Sequence, residues 1–227
     1  MVSRRRIGRR GREIGVFRLY ATQSSGNCYK VRLLLAKLAL PFEHVEVDLF
    51  RGENRTPDFL MKNPEGRVPL LELPGGRHLA ESNAILVYLA EGTEYLPADR
   101  LDRAEALRWM FFEQHSHEPA IGAARFWLTL MRGGRELRTH DIDRWQEEGY
   151  AALGVMERHL TRRRYFVGDR LTVADIALFA NTHVAADAEL DVGAFPAVSD
   201  WLARVASAPD HVGMDWRPAG PGALLPA

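Results

Sequence analysis

Asn63-Pro64-Glu65-Gly66-Arg67-Val68-Pro69-Leu70-Leu71-Glu72-Leu73, a Pro74-Gly75-Gly76-Arg77 turn, then His78-Leu79-Ala80-Glu81-Ser82-Asn83 is the stretch that decides this fold. Asn-Pro and Glu-Gly read as a turn. Pro69 fixes its own φ and disfavours helix at Val68, so the chain enters a short apolar strand already extended. A proline at a strand mouth gives no N–H to the ladder and belongs at an edge or a bend. If the Val68–Pro69 bond is cis, Val68 turns its N–H and C=O outward, toward another chain. The Pro-Gly-Gly turn makes a hairpin, and Glu81-Ser82 then opens a helical run to Glu91. A hydroxyl and free backbone N–H groups at a helix start suit a carboxylate. The stretch therefore offers an exposed strand edge, a carboxylate cradle and a nearby acid for an ammonium group. A short peptide with an α-amino acid head would suit all three.

Val68-Pro69 followed at this spacing by Glu81-Ser82 resembles the glutathione-binding half of the cytosolic glutathione S-transferases, and the likeness extends from Phe17 to Pro218. Upstream, Val16 to Tyr20 reads as a strand. Val31, Leu34, Leu35 and Leu38 lie on one helical face, with Lys30, Arg32 and Lys37 largely off it. Glu43 to Leu49 alternates as a second strand. Strand, helix, strand, proline loop, hairpin and helix is the order of a thioredoxin-like βαβ-ββα domain, expected over residues 16–93.

From about residue 100 to 215 turn signals thin out and an all-α helical-bundle domain is expected. Its first helix carries Leu107, Met110, Phe111 and Gln114 inward and is expected to halt at Pro119. A second runs from Ala120 to Met131 and breaks at Gly133-Gly134. A third covers Asp141 to Leu160. Thr172-Val173-Ala174-Asp175 reads as a capping box, with Leu171 and Ile176 at the staple positions. In Gly168–Ile176 it resembles the folding motif of the transferase helical domain.

The resemblance to the bacterial serine-type transferases puts Ser25 opposite the glutathione sulfur. Its hydroxyl is too weak an acid to act as a base, but it can donate a hydrogen bond that favours thiolate. Lowering a thiol pKa from about 8.5 by two units takes about 2.7 kcal/mol. A hydrogen bond to a charged acceptor supplies about 1.5–3 kcal/mol, and the helix N-terminus about 0.3–1 more. Thr22, Ser24 and Asn27 are alternative donors in the same loop. Cys28, three residues inside the helix, reads as a packed side chain. The resemblance further implies glutathione contacts from Asn54, Arg55, Arg67, Val68, Pro69, Glu81 and Ser82. Glutamine is commoner than arginine at position 67 in the family. Phe112, His115 and Ser116 are candidates for the second-substrate pocket.

Composition fits this reading. Thirty Lys+Arg balance thirty Asp+Glu, so charge argues for neither nucleic acid nor an acidic membrane. A single cysteine excludes a disulfide framework or a dithiol and suits a reducing, cytoplasmic compartment. His115 and His117 stand about 200° apart on a helix, so no shared metal is expected. Residues 1–15 hold six arginines against Glu13 and lack an apolar core for secretion. They read as a disordered extension, with an organelle leader or nucleic-acid arm as alternatives; residues 216–227 read as an irregular tail. What the resemblance implies is a homodimeric, detoxifying glutathione transferase acting on a small hydrophobic electrophile. The alternatives are a glutathione-dependent disulfide or peroxide reductase and a non-catalytic binding or regulatory protein.

Overall fold

A computed structural model describes residues 16–220; the calls on residues 1–15 and on the last seven residues of the tail lie outside the described residues. Four strands, β1 (Phe17–Ala21), β2 (Phe42–Glu46), β3 (Leu70–Glu72) and β4 (His78–Ala80), form one mixed sheet in the order β2-β1-β3-β4. β1 and β2 are parallel, with Phe17 beside Phe42. β3 runs antiparallel to both neighbours, pairing Leu70 with Tyr20 on one side and Ala80 on the other. The parallel pair needs a crossover, which α1 (Gly26–Lys37) supplies; the antiparallel pair needs only a tight turn. That turn places Gly75 and Gly76 at φ of 98° and 82°, which glycine tolerates without a Cβ clash. With α2 (Pro57–Lys62) and α3 (Ser82–Ala90), this is the thioredoxin-like βαβ-ββα arrangement.

The helical half follows as α4 (Arg100–Phe112), α5 (Glu118–Arg125), α6 (Gly134–Leu137), α7 (Thr139–Leu160), α8 (Val173–Thr182) and α9 (Pro196–Ala206). One continuous core joins the halves, running from Leu19 and Leu34 through Met110 and Ile121 to Leu178 and Trp201. The capping box of α8 is present as expected. Asp175 is fully buried; its Oδ2 accepts from Thr172 N–H at 2.9 Å and Thr172 Oγ1 at 3.0 Å, and its Oδ1 from Phe166 N–H at 3.1 Å and Trp201 Nε1 at 2.9 Å. Burial pushes this carboxyl up to about 6, although all four donors favour the anion.

Three expectations need correction. Pro119 does not halt α4: the chain widens into a π turn over Glu113–His117 and continues directly as α5. The wider turn accommodates a residue that has no N–H and whose ring would crowd the carbonyl four residues back. A second π turn, Phe126–Leu130, ends this rod. Phe111 is 72% exposed rather than inward, being one position, about 100°, round from buried Met110.

The third concerns α1, whose charged residues, though largely off its apolar face, are not exposed. Lys30, Arg32 and Lys37 are all buried, because α1 lies between the sheet and the helical half and has no outer face to offer. Each cation has a partner. Lys30 Nζ meets Glu113 Oε2 at 2.8 Å, Arg32 donates to the carbonyls of Gln23 and Met214, and Lys37 donates to that of Pro209.

Candidate functional site

The N-terminus of α1 forms the floor of a cleft between the halves. Ser25 is its N-cap, extended at φ −79°, and its Oγ accepts from the N–H of Cys28 at 3.3 Å. An oxygen that accepts there keeps its single hydrogen to donate elsewhere, and Ser25 lines the cleft. Of the alternative donors in this loop, Thr22 already donates to the carbonyl of Val47 at 2.7 Å. Asn27 reaches the cleft but donates one N–H to Glu118 Oε1 at 3.0 Å. Ser24 lines only the adjoining pocket described below. Cys28 is buried beneath them, and burial pushes its thiol up, away from the ionised state a nucleophile needs.

One wall is the loop before β3. The Val68–Pro69 bond is cis, and both residues line the cleft. Asn63 holds this loop, donating to the carbonyl of Arg67 at 2.9 Å and accepting from Glu65 N–H at 3.2 Å. Asn54 donates to the carbonyl of Gly66 at 2.7 Å and Arg55 to that of Glu65 at 3.1 Å. These two residues therefore border the cleft while bracing its wall. Gly66 is required between them: at φ +63°, a Cβ there would lie 2.9 Å from the backbone carbonyl oxygen of Asn54. Arg67 stands exposed on the rim, and its guanidinium has no hydrogen-bond partner among the described residues.

The opposite wall is the start of α3. Its N-cap, Glu81, sits at φ +69° and ψ +110° with no side-chain cap, so the first N–H groups of the helix are left open. Ser82 is buried, and its Oγ receives Lys30 Nζ at 3.3 Å. An ammonium only donates, so Ser82 accepts from Lys30 and keeps its own hydrogen for the cleft. Lys30 is fixed in turn by Glu113, whose Oε2 also accepts from Asn83 Nδ2 at 3.1 Å. The open helix N-terminus and the Ser82 hydroxyl make one cradle of donors, while Glu81 adds a carboxyl group on its rim. That pairing fits a zwitterionic amino-acid head. Gln114 and Phe126 of the helical half close the cleft, whose volume is about 610 Å³.

A second pocket of about 300 Å³ opens beside the first and shares Ser25, Asn27, Leu49 and Phe126 with it. Phe50 stacks on Phe126, with ring centroids 6.3 Å apart and planes 7° from parallel, and Trp127 and Leu130 extend this apolar wall. Glu118 enters the same pocket.

Phe112, His115 and Ser116 are not in either space. They line a separate groove with Glu148, Ala151 and Val155 of α7, and this corrects their expected place beside the sulfur position. Around the π turn before Pro119, Gln114 lines the cleft and Glu118 the pocket beside it instead. The two histidines face opposite ways, His117 inward to Thr182 Oγ1 at 2.8 Å and His115 outward beside Ser116. Among the described residues no group of three or more His, Cys, Asp or Glu could hold a metal ion, and no helix is long and apolar enough to cross a membrane.

Comparison with known proteins gives the family, whose matched members range from transferases to a disulfide-bond oxidoreductase and a transcriptional regulator. Residues 15–91 match the family model of the glutathione S-transferase N-terminal domain, and residues 122–209 that of the C-terminal domain. Glutathione S-transferase 3 of Zea mays is 34% identical over 85% of this chain and 90% of its own length. The crystal structure of a possible glutathione S-transferase from Rhodopseudomonas palustris superposes with a TM-score of 0.87 at 59% identity, covering 90% of this chain and 92% of that one. A glutathione transferase from Burkholderia graminis, with two glutathione molecules bound per subunit, gives a TM-score of 0.76 at 30% identity, covering 86% and 85%.

Proposed function

Since this chain belongs to the cytosolic glutathione S-transferase superfamily, we propose that it binds glutathione in the cleft and activates it as thiolate for attack on a small hydrophobic electrophile. The observation that carries this reading is that Ser25, the N-cap of α1, and the open start of α3 border one cleft. About 610 Å³ is ample for a tripeptide.

In this reading the γ-glutamyl head lies at α3, its carboxylate on Ser82 and the free N–H groups and its ammonium at Glu81. The cysteinyl backbone pairs with Val68 beside Pro69. The glycine carboxylate lies toward Asn54, Arg55 and Arg67. Arg67 is the best placed of these, because the other two already brace the wall. Ser25 then donates to the sulfur, with the α1 N-terminus behind it. Phe50, Phe126 and Trp127 receive the apolar part of the electrophile. The protein acts in detoxification, as a cytoplasmic homodimer. The apolar side chains exposed on α3 and α4, Tyr88, Leu101 and Phe111, are the kind of surface a second copy covers; light scattering at micromolar concentration tests the dimer.

Ser25→Ala tests the chemistry. Glutathione affinity should stay nearly constant, because the cradle and the Val68 strand edge remain. The bound thiol pKa should rise by about one to two units, equivalent to about 1.4–2.7 kcal/mol. At pH about 6.5 conjugation should slow about ten- to a hundredfold, and the loss should shrink toward pH about 9. Thiolate absorbance of the complex, titrated for both proteins, measures this directly. Superimposable curves would pass the role to Asn27, Ser24 or Thr22. Tight glutathione binding with no turnover of electrophile, disulfide or peroxide would leave a binding protein.

A further inference from the structure

The second pocket is apolar on one side and holds a carboxyl group on the other, and the transferase reading gives that group no task. Glu118 opens α5 directly after the π turn and lines the pocket that Ser25 also lines. Its Oε1 accepts from Asn27 Nδ2 at 3.0 Å, and its Oε2 has no hydrogen-bond partner among the described residues. One turn on, Gly122 leaves room for it: a Cβ there would lie 3.2 Å from Glu118 Oε1. A carboxyl held by one oxygen in this way leaves the other free, in a residue that lines the pocket.

We propose, resting on the transferase reading above, that Glu118 is a catalytic proton donor to the second substrate, and that it selects electrophiles that gain a proton as they accept the sulfur. Those are α,β-unsaturated carbonyl compounds and epoxides, as against aryl or alkyl halides. In the first case the S–C bond forms at the β-carbon and the C=C electron pair moves onto the carbonyl to give an enolate, which takes the Glu118 proton. In the second the S–C bond forms, the ring C–O bond breaks and the alkoxide takes that proton. The carboxylate left behind is reprotonated from solvent as product leaves. The proton released when glutathione ionised balances it. Halide displacement expels an anion that needs no proton, so it makes no use of the group.

The surroundings suit a neutral carboxyl. Burial pushes its pKa up, as does the nearby Glu113 in the π turn. Lys30 of α1, the hydrogen bond from Asn27 and Arg67 on the rim of the cleft pull it down. Arg125, which also lines the pocket, is engaged with Asp187 at 3.0 Å and the carbonyl of Ser24 at 2.7 Å. A protonated Glu118 also avoids placing a second negative charge beside the thiolate, which would oppose its formation.

The test is the ratio of two rates in Glu118→Gln, an isosteric change that still accepts from Asn27. The probes are an aryl enone and styrene oxide for addition, and chlorodinitrobenzene for displacement. The kcat ratio of addition to displacement should fall at least about tenfold, within the span of general acid catalysis. In wild type, addition should decline as pH rises through the ionisation of Glu118; that declining limb should vanish in Glu118→Gln and return, displaced, in Glu118→Asp. An unchanged ratio, or a declining limb that persists in Glu118→Gln, would overturn the proposal while leaving the transferase intact. A wild type that turns over neither class would overturn both.

Discussion

Two helices of this molecule begin with an acid and a hydroxyl, and the two starts are used in opposite ways. At α8 the hydroxyl of Thr172 and the carboxylate of Asp175 turn inward, and the acid is surrounded by four donors. Its far end is closed as well, since Thr182, the last residue of α8, meets His117. At α3 the acid is exposed, no side chain caps the helix, and the backbone at Glu81 adopts a φ that only glycine takes easily. The chemistry is the same. One helix start is consumed by folding and the other is left open.

The comparison predicts that damage to α8 should cost stability and damage to α3 should cost binding. The largest effect should come from Asp175→Ala, which leaves buried donors at Thr172, Phe166 and Trp201 without their acceptor. We expect a loss of at least about 3 kcal/mol in denaturant unfolding, with glutathione affinity of the folded fraction within about twofold of wild type. A cleft that lost affinity in proportion would break the comparison.

Next comes Glu81→Gln combined with Ser82→Ala. Both contacts involve a charge on the ligand, so glutathione binding should weaken by at least about 2 kcal/mol in calorimetry. Stability should move by less than about 1 kcal/mol, since Lys30 keeps Glu113 when it loses Ser82. Unchanged affinity would remove the cradle from α3.

The closed helix also sets a pH limit. Burial depresses the His117 pKa from 6.5 to about 3, with the Lys30 charge adding to the effect. Between those values the unfolded chain binds a proton that the folded one refuses. The contribution is therefore complete above pH about 6.5 and declines as pH falls, by about 2 kcal/mol at pH about 5. In His117→Gln the difference in unfolding free energy between pH about 7.5 and 5 should shrink by that amount. An identical pH dependence in both proteins would show that His117 is not held neutral inside.

Much of this contrast was legible beforehand because each half of it is local. Val68-Pro69, Glu81-Ser82 and Thr172–Asp175 are short runs whose backbone consequences follow from the residues themselves, and so does the βαβ-ββα order around them. What escaped reading joins residues far apart in sequence. Lys30, Arg32 and Lys37, largely off the apolar face of α1, are buried because α3 and α8 pack against that helix. Glu118 reaches the pocket beside the cleft after a π turn that shifts the facing of the rod, whereas the candidates Phe112, His115 and Ser116 line a separate groove. Pro119 was the available signal: a proline in an otherwise helical run calls for either a break or a wider turn, and only packing decides which.

The Lys30–Glu113 pair has a further meaning for anyone recombining this chain with its relatives. The segment between Ala90 and Arg100 is an obvious crossover point for chimeras, because it joins two halves that each have their own pattern. A crossover there inherits Lys30 from one parent and position 113 from the other. If the second parent lacks the acid, the chimera carries an unmatched ammonium in its interior, a defect on the order of 3–5 kcal/mol. Positions 30 and 113 should therefore be passed on together, as a single linked trait.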